Sequence, residues 1–189
     1  KKIKKKQKKI IDLNLNFKNK IGFELTKNQK NIITEILNDL TSEKKMFRIL
    51  QGDVGSGKTI ISFITALNVI KSGYQCALMA PTEILAKQHF QSFKKLFGYL
   101  NFNVEILTGK TKYSEKKIIT EQIKCGKTNF IFGTHSLFQK SIKFNNLGYV
   151  IIDEQHKFGV KQRSDPAKKG GDECDVLVMS ATPIPRTMM

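Results

Sequence analysis

The chain has 189 residues and a formal net charge of +17. This length suffices for one domain with a sizeable core, and no apolar run reaches the roughly 18 residues of a membrane-spanning helix. The three cysteines lie far apart without a C-x-x-C pair, which argues against a disulfide framework or a zinc site and for a reducing cytoplasm. The positive charge suits nucleic acid, although a lysine-rich compositional bias is an alternative explanation, since only three of the basic residues are arginine.

The first part of the chain is a lysine-rich segment. Residues 1–10 alone carry seven positive charges and no acid, and no apolar segment of the signal-peptide kind follows them. We therefore expect residues 1–20 to be a charged helix or a solvated lead-in, and residues 21–189 to form one domain. The chain starts without Met and stops at "PRTMM", so we expect a fragment of a longer protein.

From residue 21 onward, short apolar runs alternate with longer helical patterns. We predict strands at 46–51, 75–80, 103–107, 128–132, 148–152 and 175–179, and helices at 59–72, 82–97 and 114–125. Gly73, Gly98 and Gly126 follow the three helices, where glycine is expected just past a helix end. This alternation predicts an α/β fold with a doubly wound parallel sheet and helices on both faces. Together with the stretch "GDVGSGKT", which has the spacing of a phosphate-binding loop, it indicates a fold of the P-loop NTPase kind.

The stretch "FELTKNQKNIITEIL" contains a T-x-x-Q pattern just before a helical segment. One hypothesis is a capping box, with Thr26 as the N-cap and Gln29 three residues later. A second hypothesis is that the Gln29 amide contacts the edge of an adenine. The two roles do not exclude each other.

The stretch "GDVGSGKT" has the G-x-x-x-x-G-K-[ST] spacing of a phosphate-binding loop, the P-loop. Its glycines let backbone N–H groups close around phosphate oxygens, Lys58 can reach the β- and γ-phosphates, and the Thr59 hydroxyl can bind Mg²⁺. The predicted nucleotide-binding residues are Gln29, Gly52, Asp53, Val54, Gly55, Ser56, Gly57, Lys58 and Thr59.

The stretch "YVIIDEQH" places two acids at the end of a buried strand, the Walker B arrangement. Asp153 is the candidate for holding Mg²⁺, and Glu154 can polarise an attacking water. The alternative is a pair of acids that cap the following helix. With Lys58, these two acids are the predicted catalytic residues, and Thr59 and Asp153 are the predicted metal ligands.

Six unusual stretches each begin where a predicted strand ends: "GDVGSGKT", "APTE", "TGK", "GTHS", "DEQH" and "SATPIPRT". In parallel α/β sheets the carboxyl ends of the strands form the edge that binds ligands. The sequence therefore predicts one composite site along that edge.

Together these motifs resemble those of superfamily-2 DNA helicases, most closely the RecG family of bacterial ATP-dependent DNA helicases. "FELTKNQ" is similar to the Q motif, "GDVGSGKT" to motif I, "MAPTEILAKQH" to motif Ia, "GTHSLFQ" to the region of motifs Ib and Ic, "IIDEQHKFGVKQR" to motif II and "SATPIPRT" to motif III. Transcription-repair coupling translocases, the alternative, share "TPIPRT" but usually carry "DEEQRFG" where this chain has "DEQHKFG". The RecG family is the better match.

The resemblance implies a RecA-like motor domain that uses ATP and Mg²⁺ to remodel branched DNA, such as replication forks and Holliday junctions, as a monomer in the bacterial cytoplasm. It implies DNA contacts at Pro81, Thr82, Glu83, Thr108, Gly109, Lys110, Gly133, Thr134 and His135. For each of these residues an ordinary N-cap or turn role is an equal alternative.

The resemblance also implies that two loops couple the nucleotide state to the grip on DNA, through Gln155, His156, Ser180, Ala181 and Thr182. Arg163 and Arg186 could contact DNA, a partner domain or only solvent. The resemblance further implies two domains in cis that residues 1–189 do not include. These are a second RecA-like domain with an arginine finger and an N-terminal wedge domain, to which residues 1–20 would connect.

Two functions of other classes fit parts of the sequence. A nucleic-acid-binding module that uses its nucleotide only as a switch would need no second carboxylate beside Asp153, so Glu154 argues against it. A P-loop kinase would need an acceptor pocket and an Arg-rich lid, and no such lid segment is present. Hydrolysis of ATP is therefore the favoured reaction.

Overall fold

The computed structural model describes residues 24–139, 141–154 and 174–181. Its strands are β1 Phe47–Gln51, β2 Gln75–Met79, β3 Val104–Leu107, β4 Phe130–Gly133, β5 Leu147–Glu154 and β6 Asp175–Ser180. Its α-helices are α1 Lys27–Thr41, α2 Lys58–Lys71, α3 Glu83–Phe97 and α4 Tyr113–Lys124, and short 3₁₀ turns cover Gly98–Leu100 and His135–Phe138. All predicted strands and helices are present, with ends within two residues of the predicted bounds.

The six strands form one sheet in the order β1-β6-β5-β2-β4-β3, and every neighbouring pair is parallel. All carboxyl ends therefore lie at the same edge. Strands β2, β4 and β6 are buried along their whole length, which is typical of strands covered on both faces. The predicted α/β class with a parallel, doubly wound sheet is confirmed.

The two faces of the sheet carry separate apolar clusters. Helices α1, α2 and α3 pack on one face, and α4 packs on the other through Ile119 and Ile123. Phe63 of α2 lies at the centre of the first cluster, and its ring meets that of Phe93 of α3 edge-on, with centroids 5.2 Å apart. Edge-to-face aromatic packing of this kind fixes α2, which follows the predicted P-loop, against α3.

The helix ends explain several of the glycines. Gly73 and Gly126 have φ angles of +87° and +80° directly after the cap residues of α2 and α4, as predicted. Gly98 also follows its helix, but it is the cap residue of α3 itself and not the residue after the cap. This residue has a right-handed conformation and begins a 3₁₀ turn, and Asn101 at the end of that turn takes the left-handed conformation, with φ +54°. Asparagine tolerates this region better than most residues, so the reversal occurs three residues later than expected.

Helix α1 is held to the edge strand β1 by one arginine. The Arg48 guanidinium donates to Glu35 and Asp39, each at 2.8 Å. The hydrogen bond to Glu35 is the main factor that raises the pKa of Arg48. Both acids belong to α1, so this fork aligns the helix that carries Gln29 with the strand that leads into the P-loop. Within the described ranges, no helix is long and apolar enough to span a membrane.

Candidate functional site

A cleft of about 650 Å³ lies at the carboxyl edge of the sheet, beside the ends of β1, β5 and β6. It brings together predicted residues from four distant parts of the sequence, namely Gln29, Val54, Gly55, Gly57, Lys58, Thr59, Asp153 and Ala181. The remaining P-loop residues, Gly52, Asp53 and Ser56, belong to the same short loop between β1 and α2. The predicted nucleotide-binding set therefore forms one site in space.

The P-loop has the backbone conformation that its glycines allow. Gly55 and Gly57 have φ angles of +84° and +88°, in the left-handed region that favours glycine. The Gly52 N–H donates to the Ser180 carbonyl oxygen at 3.2 Å, which fixes the start of the loop to the end of β6. Gly57 is also the N-cap of α2, so the positive end of that helix dipole faces the cleft.

Lys58 is the first residue of α2, and its ammonium lies inside the loop. Nζ donates to the main-chain carbonyl oxygens of Gly52 at 2.6 Å and Asp53 at 2.7 Å, and it lies 3.4 Å from Ser56 Oγ. Nucleotide phosphate oxygens are stronger acceptors than these carbonyl groups, because they are charged. The amine is thus positioned to exchange carbonyl partners for phosphate without moving out of the cleft.

The Gln29 side chain caps its own helix and also holds the P-loop. It forms the predicted capping box, since Thr26 Oγ1 accepts from the Gln29 N–H at 3.2 Å and Gln29 Oε1 accepts from the Thr26 N–H at 3.0 Å. In addition, Gln29 Nε2 donates to the Ser56 carbonyl oxygen at 3.1 Å. The amide still has one N–H and one lone pair to offer, so these contacts leave room for an adenine edge.

Asp153 has a buried partner that sequence reasoning missed. His89 Nε2 on α3 lies 2.6 Å from Asp153 Oδ2, and the two side chains are only 10 % and 12 % exposed. A sequence signal for His89 does exist, because it occupies the buried face of α3 together with Ala86 and Phe93. A histidine on an otherwise apolar helix face needs a polar partner, but the sequence does not say which one.

The oxygen atoms available in the cleft suit a hard divalent cation. The hydroxyl of Thr59 and the carboxylate of Asp153 both line it, next to the loop that would hold the phosphates. Mg²⁺ prefers such oxygen ligands and keeps several of its waters when it binds next to a nucleotide. The residues therefore fit Mg²⁺ as the sequence predicts.

Two predicted loops are only partly described. Glu154 is the last residue of β5, and its backbone pairs with Ser180 of β6, which also pairs with Gln51 of β1. Ser180 thus lies between the strand of the P-loop and the strand of the Walker B acids. The predicted residues Gln155, His156, Arg163, Thr182 and Arg186 lie outside the described residues.

The residues predicted to contact DNA lie on the other half of the same edge. They lie at the ends of β2, β4 and β3, which are neighbours in the sheet, whereas the P-loop, the Walker B acids and Ser180 lie at the ends of β1, β5 and β6. The loops after β2 and β4 touch through the Ala80 N–H, which donates to the Gly133 carbonyl oxygen at 2.8 Å. A Cβ on Gly109 would lie 3.1 Å from Glu83 Oε1, so the loops after β3 and β2 also approach closely.

Several of these residues have local structural roles. Thr82 is the N-cap of α3 and accepts from the Leu85 N–H at 3.2 Å. Thr134 is buried, with its hydroxyl 3.2 Å from that of Ser136. At Gly133 a Cβ would collide with the Leu107 carbonyl oxygen on β3, so glycine is needed for close strand packing.

The predicted DNA-contact residues that the burial pattern leaves most open are Thr82, Gly109, Lys110 and His135. Thr108 and Lys110 line a second cavity of about 430 Å³ between β3, α3 and α4. Since α3 begins at this half of the edge and carries His89 to Asp153, it is the element that joins the two halves.

The chain matches the model of the DEAD/DEAH box helicase family over residues 26–189. It is 52 % identical over 170 residues to an ATP-dependent DNA helicase RecG of Aquifex aeolicus, a match that covers 89 % of this chain and 22 % of the relative. It is 48 % identical over 167 residues to that of Borreliella burgdorferi, covering 88 % and 24 %. The chain spans about a quarter of the length of these curated relatives.

Solved structures agree with the sequence matches. A structure of RecG bound to a three-way DNA junction superposes with a TM-score of 0.84 at 45 % identity, covering 96 % of this chain and 24 % of that one. The Hef helicase domain of Pyrococcus furiosus superposes with a TM-score of 0.66 at 20 % identity, covering 91 % and 36 %, and supports the fold alone.

Proposed function

This chain belongs to the DEAD/DEAH box helicase family, and we propose that it is the ATP-binding motor domain of a bacterial, cytoplasmic DNA helicase of the RecG kind. The reaction is ATP hydrolysis coupled to movement on duplex DNA, and the substrates are branched DNAs. The observation that carries the proposal is the single cleft shared by Gln29, the P-loop and Asp153. High identity to RecG relatives over most of the chain supports the choice of DNA as the partner.

Each residue of the cleft has a chemical task in this proposal. The P-loop N–H groups and the α2 dipole bind phosphate oxygens, and Lys58 neutralises charge on the β- and γ-phosphates. Thr59 and Asp153 would hold Mg²⁺, and the bound ion would supply positive charge to offset the charge that develops on the phosphates. Glu154 orients the attacking water, and Gln29 contacts the base while it holds the P-loop.

The chain performs only part of the motor cycle in this proposal. We infer that a second RecA-like domain in cis closes the cleft and supplies an arginine finger, and that a wedge domain, connected through residues 1–20, recognises the branch. The short span of this chain relative to its RecG relatives supports both inferences. Ser180 and Ala181 lie between the nucleotide strands, which supports their role in coupling.

The proposal is tested by nucleotide and DNA binding to the chain itself. We expect calorimetry to detect binding of ADP with Mg²⁺, and fluorescence anisotropy to detect weak binding of forked DNA that falls steeply with salt. Lys110→Ala should reduce the slope of the logarithm of the DNA-binding constant against the logarithm of the salt concentration by about one, because Lys110 lies in the predicted DNA half. The matched control is Lys124→Ala, at the far end of α4.

Absence of nucleotide binding would overturn the motor assignment. Binding of nucleotide without any binding of DNA would be consistent with an ATPase domain but would contradict the helicase function. Equal effects of Lys110→Ala and Lys124→Ala would mean that the positive charge acts only collectively and that the loop after β3 is no contact site.

A further inference from the structure

We propose that His89 is a positioning residue for the metal site: it holds the Asp153 carboxylate in the orientation that binds Mg²⁺ beside the P-loop. The inference rests on the proposed function in one respect, because it takes Asp153 as the acid on the metal side of the cleft. It assigns a role to a residue of α3 that none of the sequence motifs singled out for the nucleotide.

The contact itself has the geometry of a strong hydrogen bond. The distance between His89 Nε2 and Asp153 Oδ2 is 2.6 Å, and both side chains are close to nine-tenths buried. A carboxylate without its proton only accepts hydrogen bonds, so His89 Nε2 is the donor in the tautomer that carries its N–H there. The hydrogen bond therefore occupies Oδ2 and fixes the rotation of the carboxylate about its Cβ–Cγ bond.

The imidazole ring is itself held in place. His89 lies on the buried face of α3, and its ring meets that of Phe63 edge-on, with centroids 6.4 Å apart and planes at 84°. Phe63 belongs to α2, the helix that starts at Lys58 and Thr59. The ring that orients Asp153 is thus packed against the helix that carries the other predicted metal ligand.

The Asp153 carboxylate can accept further hydrogen bonds, and the residue lines the cleft. A buried carboxylate is costly unless several hydrogen bonds or a cation compensate for lost water. Among the described residues, His89 is the side chain recorded as its hydrogen-bond partner, while Asp153 also lines the cleft with Thr59. One oxygen is therefore held by His89, and the other would be available to a bound Mg²⁺. Partners of this kind, one step behind a metal ligand, typically change metal affinity by 10- to 100-fold.

The experiment measures how much Mg²⁺ improves the binding of ADP. Calorimetry gives the ADP dissociation constant in Mg²⁺ and in EDTA for the parent chain, His89→Leu, His89→Gln and Gln91→Leu. Leucine fills the space without a donor, and glutamine keeps an N–H at nearly the same reach. Gln91 is an exposed residue of the same helix that does not line the cleft, so Gln91→Leu is the matched control.

We expect similar ADP affinities in EDTA for all four proteins, because the phosphate loop is unchanged. The factor by which Mg²⁺ strengthens ADP binding (the metal gain) should be about 10- to 100-fold smaller for His89→Leu than for the parent chain. His89→Gln should keep most of that gain, and Gln91→Leu should keep all of it. The electron paramagnetic resonance spectrum of Mn²⁺ with ADP should likewise show more free metal only with His89→Leu.

Three results would overturn the inference. His89→Leu could keep the full metal gain, it could weaken ADP binding equally in EDTA and in Mg²⁺, or His89→Gln could be as defective as His89→Leu. If His89→Leu does not fold, His89→Asn replaces it, since its shorter amide cannot reach Asp153 and the same outcomes apply. If the parent chain binds no ADP, the proposed function is overturned as well. If Mg²⁺ strengthens ADP binding to the parent chain, the proposed function stands whatever the His89 variants show.

Discussion

The side-chain amide of Gln29 donates a hydrogen bond to the Ser56 carbonyl oxygen at 3.1 Å, which ties the start of α1 to the middle of the P-loop. The same side chain closes the capping box with Thr26. A residue that would contact the base therefore also supports the loop that would hold the phosphates. The two ends of the nucleotide would be bound by elements that constrain each other.

Gln29→Ala tests this link. The change removes a hydrogen bond to the P-loop and the reach to the base, so we expect ADP affinity to fall by about 5- to 10-fold, the effect of one hydrogen bond. The preference for ADP over GDP should shrink at the same time. Both are measured by calorimetry against Asn28→Ala, an exposed neighbour that does not line the cleft. Unchanged base preference with weaker binding of both nucleotides would restrict Gln29 to its support of the loop.

Lys58→Ala removes the ammonium from the P-loop but leaves the backbone cradle in place. We expect a folded chain whose nucleotide affinity is weakened by about 2 kcal/mol or more, the scale of a lost charge-assisted hydrogen bond. Lys71→Ala, at the other end of the same helix, is the control for a general loss of positive charge. Equal ATP affinity of the Lys58 variant and the parent in Mg²⁺ would rule out the P-loop assignment.

Gly57→Ala separates backbone strain from damage to the site. Gly57 and Gly73 have nearly the same φ, +88° and +87°, so alanine at either position should lower the free energy of unfolding by about 1–2 kcal/mol. A Cβ at Gly57 would also collide with Nε2 of Gln29, whereas one at Gly73 meets nothing within 4 Å. We therefore expect only Gly57→Ala to weaken ADP binding, by about tenfold or more, the equivalent of 1.4 kcal/mol. Similar ADP affinities of the two variants would show that the glycine serves the fold alone.

Local patterns were enough to predict most of the fold and the position of the P-loop. Strand positions follow from continuous apolar runs, and the P-loop follows from glycines whose φ values only glycine adopts readily. The different conformation of Gly98 has a local cause too. Nothing in the sequence shows that the chain continues through a 3₁₀ turn and reverses at Asn101 instead.

The remaining features depend on contacts between distant residues. His89 and Asp153 are separated by 64 positions, and their contact exists only because the fold brings the buried face of α3 next to the end of β5. The division of the edge into a predicted nucleotide half and a predicted DNA half depends on the strand order, which puts β6 between β1 and β5. Strand order is a property of the folded sheet, and the spacing of motifs along the chain does not determine it.

Glu154→Gln tests the proposed role of the second Walker B acid. The change keeps the size of the side chain but removes the group that orients water, so ATP should still bind while hydrolysis falls by about 10²-fold or more. The measurement is phosphate release by a protein that includes both RecA-like domains. Glu121→Gln, on the exposed surface of α4, is the matched control. Turnover within a few-fold of the parent would mean that Glu154 is a helix cap and that another group activates the water.

The last prediction concerns hydrolysis by residues 1–189 alone. In the proposed motor the cation that stabilises charge on the γ-phosphoryl group comes from a second RecA-like domain, and arginine fingers typically contribute 10³- to 10⁵-fold in rate. The P-loop and Asp153 line the cleft of this chain, so Mg²⁺–ATP should still bind to it. We therefore expect measurable ATP binding, hydrolysis near background and no stimulation by forked DNA, measured as phosphate release with and without DNA. Attaching a second RecA-like domain from a RecG relative should restore stimulated turnover, and attaching one whose arginine finger is changed to alanine should not. Robust DNA-stimulated hydrolysis by residues 1–189 alone would mean that this cleft is catalytically complete, and the two-domain motor would be wrong.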